Sequence, residues 1–227
     1  MMDESAYKRA LQWAMALGAP LLESNDAEPP YAFEDCDFGV GGMLEEQWGV
    51  TEAYDVRNLA ERMWAGMHNP SFQEIRLLLG GMTLAERRAY IGRIDRNTDR
   101  YADFYTVNLY MDRLPPAGIA AWDWGRLAFY VRCARMTGLI GEAEENAYLL
   151  NTALRARFAY RSWPDYAVAY MAGRQFWRRD ISEEWSEINL GQLRSLLIGR
   201  RSLWRELEWE IDLPEPPNLP EYGRDER

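Results

Sequence analysis

The stretch Ala120–Met136, AAWDWGRLAFYVRCARM, decides the fold. It reads as a core helix running from about Ile119 to Thr137, with Gly138 at the C′ position where a left-handed residue closes a helix. Pro115-Pro116 stops whatever precedes it. Downstream, Glu142 to about Tyr160 forms the next helix, and Glu142, Glu144 and Glu145 in its first turn complement the helix dipole. Ser162-Trp-Pro-Asp165 opens another, with Pro164 tolerated in the first turn, and that helix runs to about Arg178. One more is expected near Gln192–Gly199. The tail that follows turns proline-rich after Leu213 and is expected to be extended and frayed.

Upstream the pattern is again helical. Tyr7, Ala10, Leu11, Ala14 and Met15 recur at helical spacing within Ser5–Leu17, and Gly18 and Pro20 stop that segment. Residues 23–42 hold Pro29, Pro30 and three glycines and read as an acidic loop or arm. A short turn of helix is expected around Leu44–Trp48. Thr51 is placed as the N-cap of a helix reaching Met67, and Asn69-Pro70 as its break. Ser71–Glu74 and Thr83–Glu86 are read as two capping boxes. The helix after the second is expected to extend as far as Arg113, with a break near Asn97-Thr98. No alternating run is long enough to argue a sheet. The expectation is all-α: residues 1–43 as a helix and acidic loop, 44–212 as a single compact helical domain, and 213–227 as an irregular tail.

Composition narrows the function. The chain has 227 residues, 48% of them hydrophobic, which fits one well-buried globular domain. The net charge of −10 argues against a nucleic-acid partner, which would call for a basic surface. No apolar run approaches the ~20 residues that span a bilayer. Cys36 and Cys133 cannot build a disulfide framework and, with the absence of a signal-peptide pattern, point to the cytoplasm. With one histidine, His68, soft ligands are too few for an ordinary zinc site, so neither a metal nor a cofactor is expected.

Two stretches stand out: Trp122-Asp-Trp-Gly-Arg126 and SWPDYAVAYMAGRQFW over residues 162–177. Together with the connector GLIGEAEE over 138–145, the pair Trp204 and Trp209, and Trp48-Gly49-Val50, they resemble the DUF1266 family, a bacterial domain of unknown function. The resemblance covers about residues 44–212 and implies a helical bacterial domain. It implies no activity, and positions 84–114 fit it poorly.

The residues of these motifs are the candidate binding set: Trp122, Asp123, Arg126, Trp163, Arg174 and Trp177. Gly125 and Gly173 each cost about 0.5–1 kcal/mol inside a helix, which marks them as points of close helix crossing. Asp123 and Arg126 share a helical face and can pair. Arg174 is expected to reach across to Asp123 beneath a cap of Trp122, Trp163 and Trp177. The cluster is then either a buried ion-pair network fixing helix register, which is the favoured reading, or an anion pocket. His68 is expected as a C-terminal helix cap or surface residue and Cys133 as a small core hydrophobe. No catalytic constellation is recognised. The expected function is a non-catalytic acidic binding protein for a basic partner, such as a bacterial immunity protein neutralising a toxin. The alternatives are an enzyme or sensor holding a phosphate-bearing small molecule, and an accessory subunit docking through an exposed Trp-rich tail.

Overall fold

The computed structural model of the chain describes residues 3–23, 40–200 and 202–219. Cys36 and most of the acidic 23–42 segment lie outside them. The described residues form twelve helices and no strand: α1 (Glu4–Ala16), α2 (Ala19–Glu23), α3 (Val40–Trp48), α4 (Ala53–Ala65), α5 (Asn69–Gly80), α6 (Leu84–Ile91), α7 (Asp99–Tyr110), α8 (Ala120–Met136), α9 (Glu142–Ala159), α10 (Trp163–Arg178), α11 (Glu183–Ile198) and α12 (Leu203–Glu206).

The all-α expectation holds, and α8 is the axis of the domain. Thirteen of its seventeen residues are buried, because α10, α9 and α4 cover it on three sides and α1, α2 and α3 close over the remainder. A helix enclosed in this way needs apolar residues all round rather than a single stripe. Both crossing glycines are used. A Cβ on Gly173 would overlap the Trp122 Cβ, and one on Gly125 would lie 2.7 Å from a Tyr170 ring carbon and 2.9 Å from the Leu17 carbonyl. Trp13, Ala14 and Leu17 from the α1 region are fully buried in the same core as α8.

Local signals fix most helix starts. Thr83 and Glu86 form the expected capping box, with Oε2 of Glu86 accepting the Thr83 N–H at 2.8 Å. The expected break at Asn97-Thr98 is present, and Thr98 caps α7. Three expectations shift. The N-cap of α4 is Glu52, one residue after Thr51, because Asp55 reaches back to both backbone N–H groups at 3.0 and 3.2 Å. The Asn69-Pro70 break starts a helix instead, with Pro70 in the first turn of α5 and Ser71 inside it. And α11 begins at Glu183, nine residues before the expected Gln192, capped by the Ser182 hydroxyl.

Candidate functional site

The expected cluster divides into three places. At the first, Asp123 is fully buried on α8 and ion-paired with Arg126 three residues on. The guanidinium of Arg126 also lies 4.9 Å over the Trp122 ring and 5.8 Å over the Trp48 ring. The second oxygen of Asp123 accepts the backbone N–H of His68 at 3.3 Å. His68 is the N-cap of α5, so this carboxylate caps a helix that supplies no side-chain cap of its own. Around it, Asn69 donates to the Ala117 carbonyl at 3.1 Å and accepts the Ile119 N–H at 3.0 Å. Arg76 grips the Met111, Leu114 and Pro115 carbonyls at 2.6 to 2.9 Å. The pair thus fixes α8 against α5.

That corrects two expectations. Asp123 does not bridge α8 to α10, since its two partners come from α8 and from the residue preceding α5. His68 is neither a C-terminal cap nor a plain surface residue. It is half-buried within the field of Asp123 and Arg126, and burial lowers its pKa against the opposing pull of Asp123.

The second place is an aromatic clamp. Trp163 stacks on Trp204 at 5.0 Å, meets Trp209 edge-on at 4.8 Å and lies 5.0 Å from Trp13. Each indole N–H donates to a backbone carbonyl: Trp13 to Glu208 at 3.1 Å, Trp163 to Leu207 at 2.7 Å, Trp204 to Ala16 at 2.7 Å and Trp209 to Tyr160 at 3.2 Å. Buried indoles need such acceptors, and here they staple residues 202–209 onto α1 and α10. The exposed Trp-rich tail is therefore overturned: Trp204 and Trp209 are core residues, and Ile211, Leu213 and Leu219 pack behind them. Trp163 belongs to this clamp. Trp122 touches Trp177 at 5.5 Å and Tyr170 at 5.2 Å, and Trp177 is about half exposed. No single aromatic cap spans the three expected tryptophans.

The third place holds Arg174. Its guanidinium donates to Gln192 Oε1 of α11 at 3.2 Å, and Asp123 has other partners. Among the described residues no carboxylate pairs with it. It is not part of a continuous basic strip, because Arg179 is held by Asp99 and Asp103 of α7 at 2.6 and 2.9 Å. Nearby polar groups are also unmatched: the Tyr170 hydroxyl, Trp122 Nε1 and Arg126 Nε are buried without a hydrogen-bond partner among the described residues.

The remaining candidates resolve simply. Cys133 is a buried core thiol. The carboxylates at the start of α9 do more than complement a dipole: Glu144 and Glu145 are buried and paired with Arg57 and Arg132 at 2.9 and 3.2 Å. Burial raises the Glu145 pKa against the pull of Arg132 and Arg135. Among the described residues no three His, Cys, Asp or Glu side chains are grouped to hold a metal. Among the described residues no helix is long and apolar enough to cross a membrane.

Sequence reasoning missed one surface. Along Leu207-Glu-Trp-Glu-Ile-Asp-Leu213, Leu207 and Trp209 are buried and Ile211 and Leu213 half-buried, while Glu208, Glu210 and Asp212 are exposed. Its signal in the sequence is that short alternation, which is too short to make a sheet. The charge is uneven in a matching way. Residues 23–42 carry six acidic and no basic side chains, and 202–227 carry eight acidic against three basic. The rest of the chain balances, with 22 acidic and 23 basic.

The comparisons agree with the motifs. A family model for DUF1266, described as a protein of unknown function, matches residues 43–209. The uncharacterized protein YbeR of Escherichia coli K12 is 26% identical over 135 residues, 60% of this chain and 57% of that protein. The uncharacterized protein YbeU of the same strain is 24% identical over 141 residues, 62% of this chain and 59% of its own length. The chain thus spans less than three fifths of each of these relatives. No solved structure matches.

Proposed function

The chain belongs to the DUF1266 family, and on that premise we propose that it is a non-catalytic binding protein whose acidic face neutralises a basic protein partner in the cytoplasm, as an immunity protein neutralises a toxin. The carboxylate row of Glu208, Glu210 and Asp212, with Glu206 and Glu215 beside it, carries the reading. Its exposed acids stand on a backbone whose alternate residues are anchored in the aromatic clamp. A pre-ordered charged row binds without the ordering entropy that a free tail would lose. It also steers a basic partner by long-range attraction. Glu210 is already engaged by Arg157 at 3.0 Å, which leaves Glu208 and Asp212 as the open contacts.

The test is co-purification of the tagged full chain from its host, in parallel with a variant carrying Glu208→Lys and Asp212→Lys. The expected result is one stoichiometric basic protein, retained at low salt, released by salt and lost from the variant. Equal capture by both forms, or a partner without excess positive charge, would overturn the reading.

A further inference from the structure

The proline-rich stretch Asp212-Leu-Pro-Glu-Pro-Pro-Asn-Leu219 carries chemistry that the acidic row does not use. Pro214, Pro216 and Pro217 each fix φ at about −65° and supply no N–H. Leu213, Glu215 and Pro216 each precede a proline, which disfavours helical backbone there. Among the described residues no backbone hydrogen bond involves residues 212–219. A chain under those constraints takes the polyproline II form, a left-handed helix of about three residues per turn. Exposure follows that period. Leu213, Pro216 and Leu219 are half-buried, and both leucines pack on the core. Asp212, Glu215 and Asn218 are exposed. On the edge between these two, Pro214 is half-buried and Pro217 exposed. One edge is thus held to the domain, one presents prolines and one presents acid.

We infer that this segment is a preformed polyproline ligand for a partner protein whose groove is lined by aromatic side chains and rimmed by basic ones. Aromatic-lined grooves take prolines from such a helix because its backbone is already ordered, so little entropy is lost on docking. Here the leucine edge adds to that order, since it is packed on the core. Pro214 and Pro217 stand one turn apart, about 9 Å, and fill successive positions of the groove. The matching rim is basic, because residues 206–219 hold five acidic side chains and no basic one. The inference rests on the acidic-row reading for the sign of the partner's charge, while the proline edge is a separate observation.

The experiment is an NMR titration of the full chain with a WW domain that carries arginines beside its aromatic groove, following the Glu215 backbone amide and the Asn218 side-chain amide. Saturable shifts are expected at both. Pro217→Ala alters neither the leucine edge nor any charge, so it should fold normally and weaken binding about ten-fold, the scale of one lost anchor contact. Glu208→Lys with Asp212→Lys should weaken it as well. An SH3 domain with an acidic rim should give no saturable shift. Absence of saturation with the WW domain, undiminished affinity in Pro217→Ala, or equal binding of the acidic-rimmed domain would each overturn the inference. Loss of binding in the double-lysine variant alone would strike the proline edge and leave the acidic row standing. Loss in Pro217→Ala alone would uphold the proline edge and strike the row.

Discussion

Two Gly-Arg dipeptides, Gly125-Arg126 and Gly173-Arg174, sit on neighbouring helices and meet opposite fates. Both glycines are there for close approach, one under Tyr170 and Leu17 and the other against Trp122. The arginines then part. Arg126 is buried, ion-paired and lies over two indoles, whereas Arg174 is half-buried with only a glutamine amide for a partner. The same local sequence has produced one arginine that locks helices and one that reaches to a glutamine of α11. What separates them is the presence of a carboxylate three residues earlier on the same helical face.

The largest test of that contrast is Asp123→Ala. It leaves Arg126 buried without a counter-charge and removes the cap of α5, so a loss of about 3–5 kcal/mol is expected in urea denaturation. A loss below about 1 kcal/mol would mean that the pair is better solvated than its burial implies. Next is Gly173→Ala, whose new methyl must displace Trp122. A cost of about 1–3 kcal/mol is expected, read as a shift in denaturation midpoint.

Arg174→Gln should then fall within about 1 kcal/mol of wild type, since a half-exposed guanidinium without a carboxylate partner contributes little. A loss as large as that of Asp123→Ala would erase the distinction between the two arginines. Gly191 supplies a control, because it lies inside α11 and a Cβ there would meet nothing within 4 Å. Gly191→Ala should therefore raise stability by about 0.5–1 kcal/mol, opposite in sign to Gly173→Ala.

The smallest effect is a pH dependence. Burial holds the His68 imidazole below its ordinary range. As pH falls, the unfolded chain takes up this proton first, so the stabilisation present above about pH 6.5 is lost as pH drops through the folded value. Denaturation midpoints of wild type and His68→Gln, compared between about pH 7 and pH 5, should converge on the variant's flatter profile once this group is removed. An unchanged slope would mean that the pull of Asp123 cancels the effect of burial at His68.

The part of this that was readable in advance was the part set by neighbours in sequence. The core helix α8, the Thr83 capping box, the break before Thr98, the Asp123–Arg126 pair and the two crossing glycines all follow from spacings of a few residues. The partner of Arg174 was not of that kind. Gly173 faces Trp122, and successive helical residues are turned by about 100°, so Arg174 is directed off that face toward α11. The same rotation carries Asp123, one residue past Trp122, toward α5. Adjacency to a crossing point thus argues against a bridge between these two side chains. The early start of α11 was obscured because Ile188 and Leu190 are exposed and blur its apolar stripe. The carboxylate row could not be read as a surface until its alternating partners were seen to be buried.

The aromatic clamp has a consequence for biosynthesis. Trp13 emerges from the ribosome early, yet the carbonyl that accepts its N–H belongs to Glu208, 195 residues later. Until that segment is made, Trp13 and Trp163 lack the covering that residues 204–209 supply. Contacts of such long sequence separation form late and slowly. A nascent chain halted near residue 200 would present these indoles to chaperones or to other unfinished copies of itself. Completion of this core is tied to the last stretch of the domain to be translated.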